Sequence, residues 1–74
     1  MQNPNYQLAC EIKKTLVENG VLNMSLRRIK SNLLKKGVVS SRSSIEKVMG
    51  HWGHNFQLHL KKGFLGSKVI LVLS

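Results

Sequence analysis

The chain is 74 residues long and carries twelve Lys and Arg against three Glu and no Asp, a formal net charge of +9. That length supplies one domain with a core near the lower workable limit, and a 42% hydrophobic content with a single Pro excludes a linker or low-complexity segment. A charge surplus of this size on so small a body attracts polyanions, which makes nucleic acid the first partner to consider.

Asn3-Pro4 reads as a helix start, with Asn3 as N-cap and Pro4 in the first helical position. Leu8, Ala9, Ile12 and Leu16 follow at helical spacing, and Asn19-Gly20 supplies a left-handed stop, so a helix is predicted over 4–18. Residues 21–24 are short and apolar and suit a brief extended piece. Ser25 then caps a second helix in which Leu26, Ile29, Leu33 and Leu34 form the apolar stripe and Arg27, Arg28, Lys30, Ser31 and Lys35 the opposite face. Lys35-Lys36 complement the helix dipole, and Gly37 closes the helix.

Val38-Val39 link to the run Ser40-Ser41-Arg42-Ser43-Ser44. Ser43 followed by Glu46 has the form of a capping box, with Ser40 or Ser41 as the alternative cap. Ile45, Val48 and Met49 give the third helix a buried edge, extended by Trp52, and leave Arg42, Ser44 and Lys47 pointing away from the core. Beyond Gly53 the period changes to two. Phe56, Leu58 and Leu60 alternate with Asn55, Gln57, His59 and Lys61, the pattern of a half-buried strand. Residues 61–67 are turn material, and residues 68–73 form a second strand, giving an antiparallel hairpin with a basic tip. Phe64 and Leu65 at that tip are expected to fold back on the core. The apolar ending at 69–73 suits either a natural terminus or a domain cut from a longer polypeptide.

The predicted fold is α+β in the order α-β-α-α-β-β, one domain over 1–74. This order resembles the winged-helix family over nearly the whole chain. The resemblance puts residues 21–24 in the place of the small first strand, residues 42–50 in that of the recognition helix, and the hairpin in that of the wing. A narrower similarity rests on Leu26-x-x-Ile29, on Ser44-Ile45-Glu46-Lys47-Val48-Met49, on Phe56-Gln57-Leu58 and on Val69-Ile70-Leu71-Val72. These segments are similar to LOTUS (OST-HTH) domains, winged-helix-like modules of RNA-regulating germline proteins, some of which bind RNA or a DEAD-box helicase. Where that family usually carries Gly and an aromatic before its third helix, this chain has Ser41-Arg42-Ser43.

Residues 40–47 are the sharpest candidate site, because a helix start rich in Ser and Arg offers N–H groups, hydroxyls and a forked cation to phosphates or guanine edges. Arg42 and Lys47 are expected to carry the most binding, assisted by Ser41 and Ser44. Lys61, Lys62 and Lys68 add salt-dependent affinity from the wing, and Arg27, Arg28 and Lys30 reach the backbone from helix two. Solvated helix faces and a solubilising hairpin tip are the alternatives for these same charges. Duplex DNA is the preferred partner. RNA, a protein partner, or a homodimer through edge pairing of residues 68–73 are the other readings.

No cofactor is expected. His51, His54, His59 and Cys10 lack the tight spacing of a zinc site. Glu11, Glu18 and Glu46 are dispersed, and no serine sits in a nucleophile elbow, so no enzyme is expected either. A lone cysteine and the lack of a long apolar run point to an intracellular protein, cytoplasmic or nuclear, that does not enter a membrane.

Overall fold

The structure, a computed structural model, describes residues 4–63 and 67–73. The predicted N-cap Asn3 and the predicted inward fold of Phe64 and Leu65 lie outside the described residues. In chain order the elements are α1 (Pro4–Glu18), β1 (Asn23–Ser25), α2 (Leu26–Lys35), α3 (Arg42–Trp52), β2 (Leu58–Lys62) and β3 (Lys68–Val72). The α+β order α-β-α-α-β-β with a C-terminal antiparallel hairpin is the one read from the sequence, and it is consistent with a winged-helix-like fold.

Two of the helices end on the same backbone device. The Gly20 amide donates to the Val17 carbonyl and the Val21 amide to that of Leu16, while Gly37 and Val38 repeat the pattern onto Leu34 and Leu33. Both glycines have positive φ, 64° and 81°, which only a residue without Cβ adopts at little cost. The first of these closures also corrects a boundary. Val21 was expected to open the first strand, but its amide is committed to α1, and β1 starts two residues later, at Asn23.

The sheet order is β1-β3-β2, antiparallel throughout. β3 is therefore the central strand, paired on both sides, and the homodimer expected through edge pairing of residues 68–73 has no free edge there. Met24, Ile70 and Leu60 stand side by side across it, with Ile70 fully buried at the centre. They face Ala9, Ile12 and Leu16 of α1, Leu26, Ile29 and Leu33 of α2, and Ile45, Val48 and Met49 of α3, in one continuous core. These are the stripes the helical periodicity marked out, except at Leu34: it was expected to widen the α2 stripe, but it lies about 100° around the helix from Leu33 and is exposed.

The second correction concerns β2. The alternation from Asn55 to Lys61 predicted a strand there, but residues His54–Phe56 form a turn of 3-10 helix and pairing begins at Leu58. Gly53 is the cause. Its carbonyl accepts from the amides of Phe56 and Leu58, drawing the chain into a tight turn before Gln57, at φ 57°, redirects it into the sheet. Phe56 packs instead against Tyr6, which also meets Trp52 edge-on.

Candidate nucleic-acid interface

The ends of α2, α3 and the hairpin meet because β1 runs into α2 while β3 leaves the hairpin beside it, with Ser25 opposite Val69. Ser25 caps α2, its hydroxyl accepting from the Arg28 amide at 3.3 Å. Ser41 caps α3 in the same way, accepting from the Ser44 amide at 3.1 Å and donating to the Ser44 hydroxyl at 3.0 Å. The capping box expected between Ser43 and Glu46 does not form. Ser43 lies inside the helix, exposed, and the alternative cap, Ser41, takes the position.

Glu46 has a different partner. Its carboxylate receives the ammonium of Lys68 from the base of the hairpin. That hydrogen bond holds the Glu46 carboxyl below the usual glutamate range; partial desolvation pushes the other way, and the charges of Lys68 and Arg42 add to the lowering. Lys68 also stands opposite Lys62 across the two strands, a like-charge pair that Glu46 relieves.

Between these elements lies a cleft of about 360 Å³ lined by Ser25, Leu26, Arg27, Lys30, Arg42, Ser67 and Lys68. Four of its seven lining residues are cations. The structure therefore brings Arg42, Lys68 and Arg27 together, as three separate elements of the predicted site. Arg28 is exposed on α2 but does not line the cleft, and Lys47 is exposed farther along α3. At about 100° per residue, Arg42 and Lys47 are some 140° apart around the helix, so one faces the cleft and the other the open side of α3. Ser44 is half-buried and lines a different hollow, next to α1. Lys61 and Lys62 are exposed at the hairpin end of β2.

Lys30, which the sequence grouped with Arg27 and Arg28 as a backbone contact from helix two, joins Arg27 in lining the cleft, as their i+3 spacing allows. One participant was not singled out in the sequence. Glu46 read as a capping residue; its i+4 spacing from Arg42 was the available sign that it shares the cleft side of α3.

Charge is distributed unevenly over the fold. On α1, Lys13 and Lys14 cancel Glu11 and Glu18, so the whole excess of +9 belongs to the rest of the chain. All three carboxylates are engaged: Glu11 with Lys14 and Lys36, Glu18 with Lys36, and Glu46 with Lys68. Arg27, Arg28, Lys30, Lys35, Arg42, Lys47, Lys61 and Lys62 form no ion pair among the described residues. All eight lie on α2, α3 or the hairpin; the ninth cation without an ion pair among the described residues, Lys13 of α1, donates instead to the Phe56 carbonyl at 3.0 Å.

Among the described residues, no group of three or more His, Cys, Asp or Glu is placed to hold a metal ion, and no helix is long and apolar enough to cross a membrane. Comparison of the chain with protein-family models, with curated proteins and with solved structures finds no match to any of them.

Proposed function

We propose that the chain is a nucleic-acid-binding module, without catalytic chemistry of its own, that docks duplex DNA. In this reading α3 enters the major groove while the cleft and the hairpin sit on flanking phosphates. The observation that carries the proposal is the segregation of charge. Eight cations without ion pairs lie on α2, α3 and the hairpin, and α1 sums to zero.

The open side of α3 adds support. Ser43, Lys47 and Gly50 are all exposed there, two of them small, so a groove wall can approach the helix closely. With eleven residues the helix is about 16 Å long, enough to lie in a major groove. The aromatic residues favour a duplex over unpaired bases. Tyr6, Trp52 and Phe56 are packed on one another, which leaves no row of free rings for bases to stack on among the described residues.

The test is titration of the protein against labelled duplex DNA and single-stranded RNA over a range of salt concentrations. Duplex preference with a steep inverse dependence on salt is expected. A preference for RNA would replace the DNA reading with the RNA-binding one that the LOTUS-like segments imply, and weak binding to both at low salt would refute nucleic-acid binding altogether.

A further inference from the structure

The connection between α2 and α3 carries an apolar ridge of a kind the charge argument does not touch. Leu34, in the last turn of α2, is 63% exposed, and Val39 is 85% exposed. Val38 stands between them, half-buried against the core. The ridge separates two hollows of about 300 and 320 Å³, one bounded by Lys30 and Leu34 and the other by Leu8 of α1. A single exposed aliphatic residue is ordinary; adjacent ones between two hollows make a surface shaped to receive apolar side chains on both flanks.

The charges beside the ridge say what can cover it. Lys30 lines one hollow, and Lys35 lies one turn beyond Ser31, which lines the same hollow; neither lysine forms an ion pair among the described residues. The carboxylate lining the other hollow, Glu11, is already held by Lys14 and Lys36. A second copy of the chain would bring its own +9 and the same two lysines to this rim, so self-association is opposed. A phosphate backbone would answer the lysines but leave Val39 and Leu34 uncovered. A helix with one apolar and one acidic face answers both.

We propose that the ridge of Leu34, Val38 and Val39 docks an acidic amphipathic helix of a partner protein, its apolar side chains seated in the two hollows and its carboxylates on Lys30 and Lys35. The surface is separate from the open side of α3, and only Lys30 is common to it and the basic cleft.

The probe is a synthetic helical peptide with leucines at i, i+3, i+4 and i+7 and glutamates between them, set against a peptide of identical composition with the leucines dispersed. Binding to the 74-residue chain is followed by fluorescence anisotropy and by amide chemical shifts. The patterned peptide should bind at least about tenfold more tightly than the dispersed one, with shifts centred on residues 34–39. The double variant Leu34→Ser/Val39→Ser, which leaves charge and core unchanged, should erase that difference. Its melting temperature and its affinity for duplex DNA should stay at the wild-type values, so failure here leaves the nucleic-acid reading standing. Equal affinity for the two peptides, shifts confined to the hairpin and α3, or no binding would overturn the proposal. So would a concentration-dependent dimer abolished by the double variant, which would make a second copy the occupant, or duplex DNA shifting Val39 as strongly as the peptide does.

Discussion

Removing the Arg42 charge, as Arg42→Gln, isolates one phosphate contact at the mouth of the basic cleft. Each phosphate neutralised on a duplex contributes about −0.9 to the slope of log K against log salt concentration. Losing that contact therefore makes the slope shallower by about 0.9 and weakens binding about eightfold at about 0.1 M salt, close to 1.2 kcal/mol. Arg27 and Lys30 line the same cleft, so the triple variant should lose about 2.7 from the slope and about 500-fold in affinity. Glu46→Gln acts in the opposite sense. It frees Lys68 from its internal partner and should steepen the slope by about 0.9. Lys14→Gln changes net charge as much as Arg42→Gln does, but on the electrically balanced α1, and should leave the slope unchanged. The assay is anisotropy of a labelled duplex over a salt series, with each variant's fold checked by circular dichroism. If Arg42→Gln and Lys14→Gln weaken binding equally, total charge rather than the cleft governs affinity, and the reasoning fails.

Other expectations follow from single features. The Glu46 carboxyl has a lowered pKa in the folded protein, so the stability it contributes is present above the ordinary glutamate range and is lost as pH falls through the folded value. Thermal melts of the wild type and Glu46→Gln should accordingly differ at neutral pH and converge in acid; a constant gap would contradict the pairing. Ser41→Ala removes the α3 cap and should cost about 1 kcal/mol in urea unfolding, whereas Ser43→Ala should be nearly neutral. An added Cβ at Gly50 meets nothing, so Gly50→Ala should stabilise the exposed helix by about 0.5–1 kcal/mol and raise the melting temperature by several degrees. Gly53→Ala should do the reverse, because its Cβ would press on the Met49 carbonyl and lie 2.9 Å from that of Leu58. Ile70→Ala opens a cavity at the centre of the sheet and should cost about 2–5 kcal/mol, a large share of the stability of a domain this small.

What was legible in the sequence was whatever is decided within a few residues. Pro4 and Gly20 bracket α1, Ser25 and Gly37 bracket α2, and the apolar stripes of the three helices face the core except at Leu34, which is exposed. The misplaced boundaries arose where one backbone group had two claimants. Val21 could pair in the sheet or close α1, and Phe56 could continue an alternating strand or turn at Gly53. The site was legible as a set of cations but not as a cleft. Arg27, Arg42 and Lys68 come together only through the pairing of β1 with β3, and the Lys68–Glu46 contact spans 22 positions. Nothing in the spacing of residues 46 and 68 signals that contact. Ser44 shows the converse: an expected contact residue whose helix position turns it toward α1.

The most direct test of the central claim is to map duplex DNA binding on the amide resonances of the protein. Nucleic-acid docking through the charge-bearing side predicts the largest shifts at Arg27, Lys30, Arg42, Ser43 and Lys47 and along β2, with the exposed residues of α1, such as Lys14 and Val17, unmoved. Shifts centred on α1, or none at low salt, would contradict it.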